Sequence, residues 1–562
     1  MKKLISIICL LAMVLSVLAS CGGGKNPFID SGEDIDADKT QLYISNWDGG
    51  IGTEWLNRAA AAFETRYADY EFEPGSGKKG VQIIIDPNKN NRLTLEADMP
   101  TSNNAVYFTE KINYYKWAKD GLLLDISDLV NETMSEYGED TTISGKLDPE
   151  MKAALQVNGK YYGLPHYEGF NGVTYNVDVF DNYLLYFNER GGFISDINEK
   201  RSAGPDGISG NADDGLPATI EQFSELCAYM TTVGVTPFVW TGQNSDYFNI
   251  LADALITAQV GLDVRNAYYD FNGAEVEVIT GFNGETPITE TVQLTEKNGY
   301  YLWQMSAVYN AVKFCHEVID SGNGGKPWYS AGSVKPNYSQ FYAQADFVNS
   351  VFDNAPIAMM IEGNYWVNEA KDAIALSEKE NSYNFKNDSN FAWMPLPGVV
   401  SGDKGNAELV LKDSLNAYCL INGNLAGNDN MIKLAKMFVK FCYTDAQLKD
   451  FTLTTGVTRN VNYELSESEL AQLNSYARSM WNYRQTAKIV NTRSTNAVYM
   501  NSEDDLLYTF WKSQCAGVTH ERVYVAFYNG GVSAKDYFMG LREYRTPNMW
   551  DASNRQYYSQ ED

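Results

Sequence analysis

The chain has 562 residues, and its 72 Asp and Glu against 44 Lys and Arg give a formal net charge of −28. That length is too great for one hydrophobic core and calls for two or more large lobes. The acidic field repels a phosphate backbone and is poorly drawn to an anionic bilayer, so nucleic acid is excluded as a partner, and contact with a membrane must come from something other than charge.

Lys2 and Lys3 precede an apolar run from Leu4 to Leu18, which ends in Ala19, Ser20, Cys21 and three glycines. A basic start, a short apolar stretch and small residues at its end read as a secretory signal, and the run falls short of the about 20 apolar residues that a membrane span needs. Leu18-Ala19-Ser20-Cys21 resembles the lipobox of bacterial lipoproteins. The resemblance implies a signal peptide over 1–20, cleavage before Cys21, and lipid on the Cys21 thiol, which anchors the mature chain to the outer face of the bacterial cell membrane. Residues 21–40 are Gly-rich, then acidic (Glu33, Asp34, Asp36, Asp38), and read as a flexible tether.

Residues 41–46 form a predicted buried strand that runs into the loop Trp47-Asp48-Gly49-Gly50. A helix is predicted over 53–67, with Ala59 to Phe63 as its core face. Strands over 81–86 and 105–108 end in Asp86 and in Thr109-Glu110, with a short helix over 93–97 between them and another over 114–119. Strands alternating with helices imply βαβ units and a mostly parallel sheet, in which ligands bind beyond the carboxyl ends of the strands. Trp47/Asp48, Asp86 and Thr109/Glu110 are marked on that ground.

Several chemistries lack local support. Gly75-Ser76-Gly77-Lys78-Lys79-Gly80 fits GxGxxG but precedes a strand instead of joining a strand to a helix, so it reads as a turn. The three histidines, His166, His316 and His520, fall in no zinc-hydrolase or nucleophilic-triad pattern. Cys9 leaves with the signal. Cys227, Cys315, Cys419, Cys442 and Cys515 are far apart without a CxxC pair and read as buried thiols. Carboxylates are plentiful, so counting leaves a glycosidase pair open, and nothing singles out one pair.

Asn158-Gly159 signals a hairpin turn. Beyond it, Gly159-Lys160-Tyr161-Tyr162-Gly163-Leu164-Pro165 leads to Tyr175-Asn176. This stretch resembles the Gly-Lys-x-Tyr-Gly-x-Pro crossover of the family 1 extracellular solute-binding proteins, the sugar-type receptors of bacterial ABC importers. Further elements of that family follow in order. Thr219 and Gln222 are spaced as a capping box for a helix over 220–232. A strand over 234–240 and a helix near 342–352 come next, then Ala355 to Trp366, similar to the family's Ala-Met-x-x-x-Gly-x-Trp strand end. Phe391 to Pro397, a returning crossover strand over 414–421, a helix over 432–441 and a third crossover from Thr454-Thr455-Gly456 complete the series. Thr458-Arg459 stands where the pattern has proline, and residues 262–300 and 520–562 exceed it.

The resemblance, which spans 41–460, implies an α/β, two-lobed periplasmic-binding-protein-like fold of type II. Each lobe is a mainly parallel sheet flanked by helices, and crossover strands form the hinge. Lobe 1 would hold 41–165 plus 412–460, and lobe 2 would hold 166–411 plus 461–562. It further implies a monomer that binds a mono- or oligosaccharide between the lobes and delivers it to ABC transporter permease subunits, with no catalytic residue and no cofactor. Two other readings are a surface glycoside hydrolase and a glycan-binding protein that serves no transporter.

Aromatic residues make up 13% of the chain, with 38 Tyr and 11 Trp. Sugars offer C–H faces to such rings and hydroxyls to carboxylates and amides. Carried over by resemblance, the ligand residues are Trp47, Asp48, Thr109, Glu110, Tyr167, Glu168, Trp240, Gln243, Asn244, Glu362, Gly363 and Trp366, with Trp47 and Trp366 foremost. His166, Trp393, Arg459 and Trp511 are further candidates, whereas His316 reads as structural. The Gly-rich loop 201–215 carries Asp206, Asn211, Asp213 and Asp214, oxygen donors that suit a structural Ca²⁺. It reads equally as a solvated acidic loop capped by the next helix.

Overall fold

The structure, a computed structural model, describes residues 35–86, 92–244, 246–320, 327–352, 355–402, 408–492 and 511–558. Cys21 and the signal segment lie outside the described residues. Alternation of apolar residues builds the first strand, β1 (Thr40–Asn46), in which Leu42 and Ile44 are fully buried. The other strands of the two principal sheets are, in chain order, β2 (Val81–Ile85), β3 (Val106–Glu110), β4 (Gly163–Pro165), β5 (Asn171–Asn176), β6 (Thr236–Val239), β7 (Ile357–Gly363), β8 (Phe391–Trp393) and β9 (Ala417–Ile421).

One sheet has the order β2-β1-β3-β9-β4 and the other the order β8-β5-β7-β6. In the first, β1 is parallel to β2 and β3, while β9, returning from the other lobe, is antiparallel to both its neighbours. In the second, β7 is parallel to β6 but antiparallel to β5, which is antiparallel to β8. Both sheets are therefore mixed instead of mainly parallel. The βα-connected strands follow the parallel pattern, and the crossover strands break it because they enter from the opposite lobe.

The helices that matter for the site and its support are α1 (Glu54–Arg66), α2 (Ile220–Thr232), α3 (Tyr247–Asp270), α4 (Ser306–Asp320), α5 (Gln340–Asn349), α6 (Trp366–Glu369), α7 (Lys371–Asn381), α8 (Asp429–Cys442), α9 (Asp445–Thr455) and α10 (Ser475–Thr486). In lobe 1, α1 turns Trp55, Leu56 and Phe63 inward, and Phe63 meets Phe438 of α8 edge-on with ring centroids 5.3 Å apart. One contiguous core runs there from Leu42 to Val461. Lobe 2 has a core on each face of its sheet, because successive strand residues point to opposite sides. Ile361 enters the larger one with Phe223 and Phe314, whose rings stack at 4.6 Å, and Met360 enters the smaller one with Phe347 and Trp366. The larger core also takes in Trp511, Tyr537 and Phe538 from the C-terminal segment.

The segment beyond 262 completes α3 and then forms an antiparallel hairpin, Glu275–Asn283 with Thr286–Gln293. Thr219 caps α2 by accepting from Gln222 N, while the Gln222 side chain accepts from Ala218 N and not from Thr219, so the box is closed one residue early. Cys227, Cys315, Cys419 and Cys442 are buried free thiols, and Cys515 is a partly exposed one.

Segments 166–170, 413–416 and 456–460 link the lobes and are bonded to one another. Glu168 N donates to Thr458 O at 2.9 Å, and Ser414 N donates to Gly169 O at 2.9 Å. Asn364 ties the first of them to the end of β7, donating to Glu168 O and accepting from Phe170 N, each at 3.1 Å.

Candidate functional site

The carboxyl ends of the lobe 1 strands face lobe 2. Trp47 N donates to Phe108 O at 2.8 Å, which holds the chain against β3 as it leaves the sheet. The 47–52 loop is then closed by Gly52 N on Asp48 O at 2.9 Å and by Thr53 Oγ1 on Asp48 Oδ1 at 3.4 Å. Its tip touches the other lobe, where Asn368 Nδ2 donates to Gly50 O at 2.8 Å. Gly50 has φ +88°, and a Cβ there would stand 2.4 Å from Tyr365 Cδ2, so both the backbone turn and the close approach require glycine.

Around this contact lies a cleft of about 750 Å³. Lobe 1 lines it with Trp47, Asp48, Glu110 and Lys111, and lobe 2 with Asn244, Tyr247, Phe341, Tyr365 and Glu369. Lys371 and Asp372 of α7 face it, and Leu415 of the second crossover and Asn171 at the start of β5 close it behind. Phe341, in the first turn of α5, is 56% exposed. The wall thus alternates ring faces with carboxylates and amides, which is the surface a neutral polyhydroxylated solute needs: apolar faces for C–H groups, acceptors and donors for hydroxyls.

Two buried hydrogen-bonded groups support the polar residues. Tyr167, buried behind the loop, donates its hydroxyl to Glu110 Oε2 and lies 3.4 Å from Gly49 O. Under the lobe 2 wall, Glu362 is 1% exposed. Its oxygens accept from Gly363 N at 2.9 Å and from Gln344 Nε2 at 3.3 Å, and the same amide nitrogen donates to Glu369 Oε2 at 2.9 Å. Burial, followed by the neighbouring Glu369 carboxylate, raises the Glu362 carboxyl well above its ordinary range, so it favours its protonated form. Proximity to the Glu362 carboxyl, followed by burial, raises the Tyr247 phenol, while burial, followed by Tyr247, raises that of Tyr365. Both tyrosines therefore stand in the cleft as neutral donors.

Of the residues marked in the sequence, Trp47, Asp48, Glu110 and Asn244 line the cleft, and Tyr167 and Glu362 sit directly behind it. The others lie elsewhere. Trp366 is 0% exposed and packs edge-on against Phe347, Phe391 and Tyr476, because α6 begins at this residue and turns it into the core. Its neighbour Tyr365 takes the wall instead and covers Gly363, where a Cβ would stand 2.4 Å from Tyr365 Cζ. Trp240 is equally buried, 4.7 Å from Phe248. Thr109 is buried within the sheet, Asp86 accepts from Asn104 Nδ2 at 3.1 Å, and the exposed Gln243 is held by its backbone N on Tyr338 O at 3.0 Å.

Glu168 lies in the first linking segment, behind the cleft lining instead of in it. It is fully buried and accepts from Thr458 Oγ1 and, through both oxygens, from Arg484 Nε at 2.5 Å and Nη2 at 3.0 Å. His166 and Arg459 form a buried nest in lobe 1, with Arg459 Nη1 3.2 Å from His166 Nδ1 and the guanidinium 4.3 Å from the Phe451 ring centroid. Burial, followed by the Arg459 charge, pushes the His166 imidazole well below its ordinary value. Trp393 packs over Gly172, and Trp511 accepts at its backbone oxygen from Tyr537. His316 packs against Phe527, ring centroids 4.9 Å apart.

In the 201–215 loop the candidate donors come together but turn to the loop itself. Asp206 Oδ2 accepts from Asn211 Nδ2 at 2.7 Å, Asp213 Oδ2 from Asp206 N at 3.1 Å, and Asp214 Oδ2 from Gly210 N at 2.8 Å. Burial, then the Asp206 amide and the Asp206 charge among opposing influences, leaves the Asp213 carboxyl raised to about 6. Among the described residues no group of three or more His, Cys, Asp or Glu is placed to hold a metal ion.

Tyr247, Tyr365, Asn368, Glu369 and Phe341 are the site residues that motif reading passed over. Asn368 and Glu369 lie two and three positions past Trp366, and Tyr247 follows Asn244 by three positions, so extending each marked stretch by one helical turn would have reached them.

No protein-family model and no curated protein matches the sequence. Solved structures do share its fold. A chitin oligosaccharide binding protein superposes with a TM-score of 0.53 at 15% identity, over 92% of this chain and 100% of that one. RafE in complex with raffinose gives 0.52 at 14% identity, over 90% and 100%. Maltose-bound MalE3 of T. maritima gives 0.50 at 16% identity, over 90% and 99%. The fold is thus the two-lobed one of solute-binding proteins, matched over nearly the whole of each chain.

Proposed function

We propose that this chain is the carbohydrate receptor of an ABC importer, which takes a mono- or oligosaccharide between its lobes and hands it to membrane permease subunits without changing it. The observation that carries this reading is the cleft of about 750 Å³ between the lobes, walled on one side by Trp47 and Glu110 and on the other by Tyr365, Phe341 and Glu369. The sugar-binding proteins that share the fold support it. Closure about the three linking segments would bury the sugar and present a loaded surface to the permease. The chain would work as a monomer held by lipid on Cys21 at the outer face of the cell membrane. No helix among the described residues is long and apolar enough to cross a membrane.

The test is a thermal-shift screen of the chain from Gly22 onward against mono- and oligosaccharides, with each hit mixture analysed for cleavage. A sugar at 100 times its Kd adds about 2.7 kcal/mol and a clear rise in Tm. A shift with intact sugar upholds the receptor. A shift with cleavage identifies a glycoside hydrolase, and a flat response to the whole panel overturns carbohydrate binding.

A further inference from the structure

A second groove of about 320 Å³ adjoins the main cleft, and Asn368 and Lys371 line both. It too lies between the lobes. The end of α9, from Leu453 to Gly456, forms its lobe 1 side, and Ala375 and Glu378 of α7 form its lobe 2 side. Its floor is apolar, with Ile374 and Phe385 nearly buried. Its rim is polar, with Gln472 and Asn474, and the last turn of α9 leaves backbone carbonyls that a hydroxyl can satisfy. Like the main cleft, the groove sets a carboxylate, here Glu378, and amides beside apolar residues. Each space alone falls in the ~300–1,000 Å³ range of ordinary ligand sites.

We propose that the two spaces form one trough, that the solute is an oligosaccharide instead of a monosaccharide, and that its distal rings occupy the groove between α9 and α7. The proposal rests on the receptor reading above. Asn368 and Lys371 stand at the junction, where the Asn368 amide, one of whose N–H groups goes to Gly50 O, keeps its carbonyl oxygen and second N–H for the sugar chain beside the Lys371 ammonium group. Since both walls of the groove come from different lobes, rings held there favour the closed arrangement as well as adding contact area.

The experiment measures Kd for ladders of increasing length, glucose through maltohexaose, xylose through xylohexaose and N-acetylglucosamine through its hexamer, on the wild type, Ala375→Trp and Thr454→Trp. The two variants fill the groove with an indole from opposite lobes, and both positions accept a change without touching the core. For the ladder that binds, Kd is expected to fall at least tenfold between the mono- or disaccharide and the longest members. Each variant should remove that gain while leaving the Kd of the shortest binding member within about twofold. A ladder whose Kd does not improve with length, or variants that bind long and short members as the wild type does, overturns the two-space trough while sparing the receptor. Failure of every ladder overturns the receptor reading and the trough with it.

Discussion

Glu362 and His166 are both buried, and their displaced proton equilibria push stability in opposite directions. Glu362 has its folded-state value raised, so folding takes up a proton above the ordinary carboxyl range, and stability falls as pH rises through that window at up to about 1.4 kcal/mol per pH unit. Glu362→Gln, which mimics the protonated form, is expected to raise Tm at pH 7–8 and to make no difference near pH 4. His166 has its folded-state value lowered, so the unfolded chain binds the extra proton, and stability falls as pH drops below about 6.5. In His166→Gln, whose amide oxygen can still accept from Arg459, that acid-side loss should disappear from a series of Tm values taken between pH 7 and pH 5. Trp47 and Trp366 separate wall from core. Trp366→Ala should cost about 3–5 kcal/mol of stability, whereas Trp47→Ala should lower sugar affinity and leave the urea midpoint nearly unchanged. Both tryptophans looked alike as residues at strand ends. Strand ends and the family resemblance together marked Trp47, Asp48, Glu110 and Asn244, which line the cleft, but the start of a helix rotates a residue by about 100° per position, and that rotation exchanges the places of Tyr365 and Trp366.

The 47–52 loop and the three linking segments are where element geometry bears on binding. Gly50→Ala would drive a Cβ into Tyr365 and strain a positive φ, so it is expected to hold the lobes apart. The prediction is a rise in Kd of tenfold or more, and a sugar-saturated radius of gyration in small-angle scattering that stays at the ligand-free value. Glu168 lies in the first linking segment. Its bonds to Thr458 and Arg484 join the first and third linking segments to α10. Glu168→Gln leaves the Arg484 charge buried without its partner, a change that typically costs about 3–5 kcal/mol, and denaturant midpoints would show it. Strands, helices and caps were legible from apolar period and capping residues, as β1, α1 and Thr219 illustrate. Strand sense was less so, because nothing in the local pattern of Ala417 to Ile421 says that this strand returns from another lobe and lies antiparallel to β3. The groove beside α7 left no local mark either, since its walls come from residues 367–386 and 453–477, brought together only by the tertiary fold.

At the scale of the molecule, the two lobes are each built from segments far apart in the chain, and this bears on more than closure. The lobe 1 core is not complete until Phe451 to Val461 join Leu42 and Trp55, and the larger lobe 2 core still needs Trp511, Val523, Tyr537 and Phe538 after that. During synthesis, therefore, neither lobe can close over its apolar residues until most of the chain has been made. Lobe 1 finishes first although lobe 2's sheet strands have all been made by Trp393. Long-range contacts of this kind slow folding and leave apolar surface open in the interval. A chain cut after residue 492 should keep lobe 1 resistant to protease and leave lobe 2 digestible, because the cut removes only what lobe 2 lacks. If the chain is exported as proposed, the same lateness would help to keep it unfolded while it is threaded across a membrane, since lobe 2 cannot close over its core until Trp511 to Phe538 have been made.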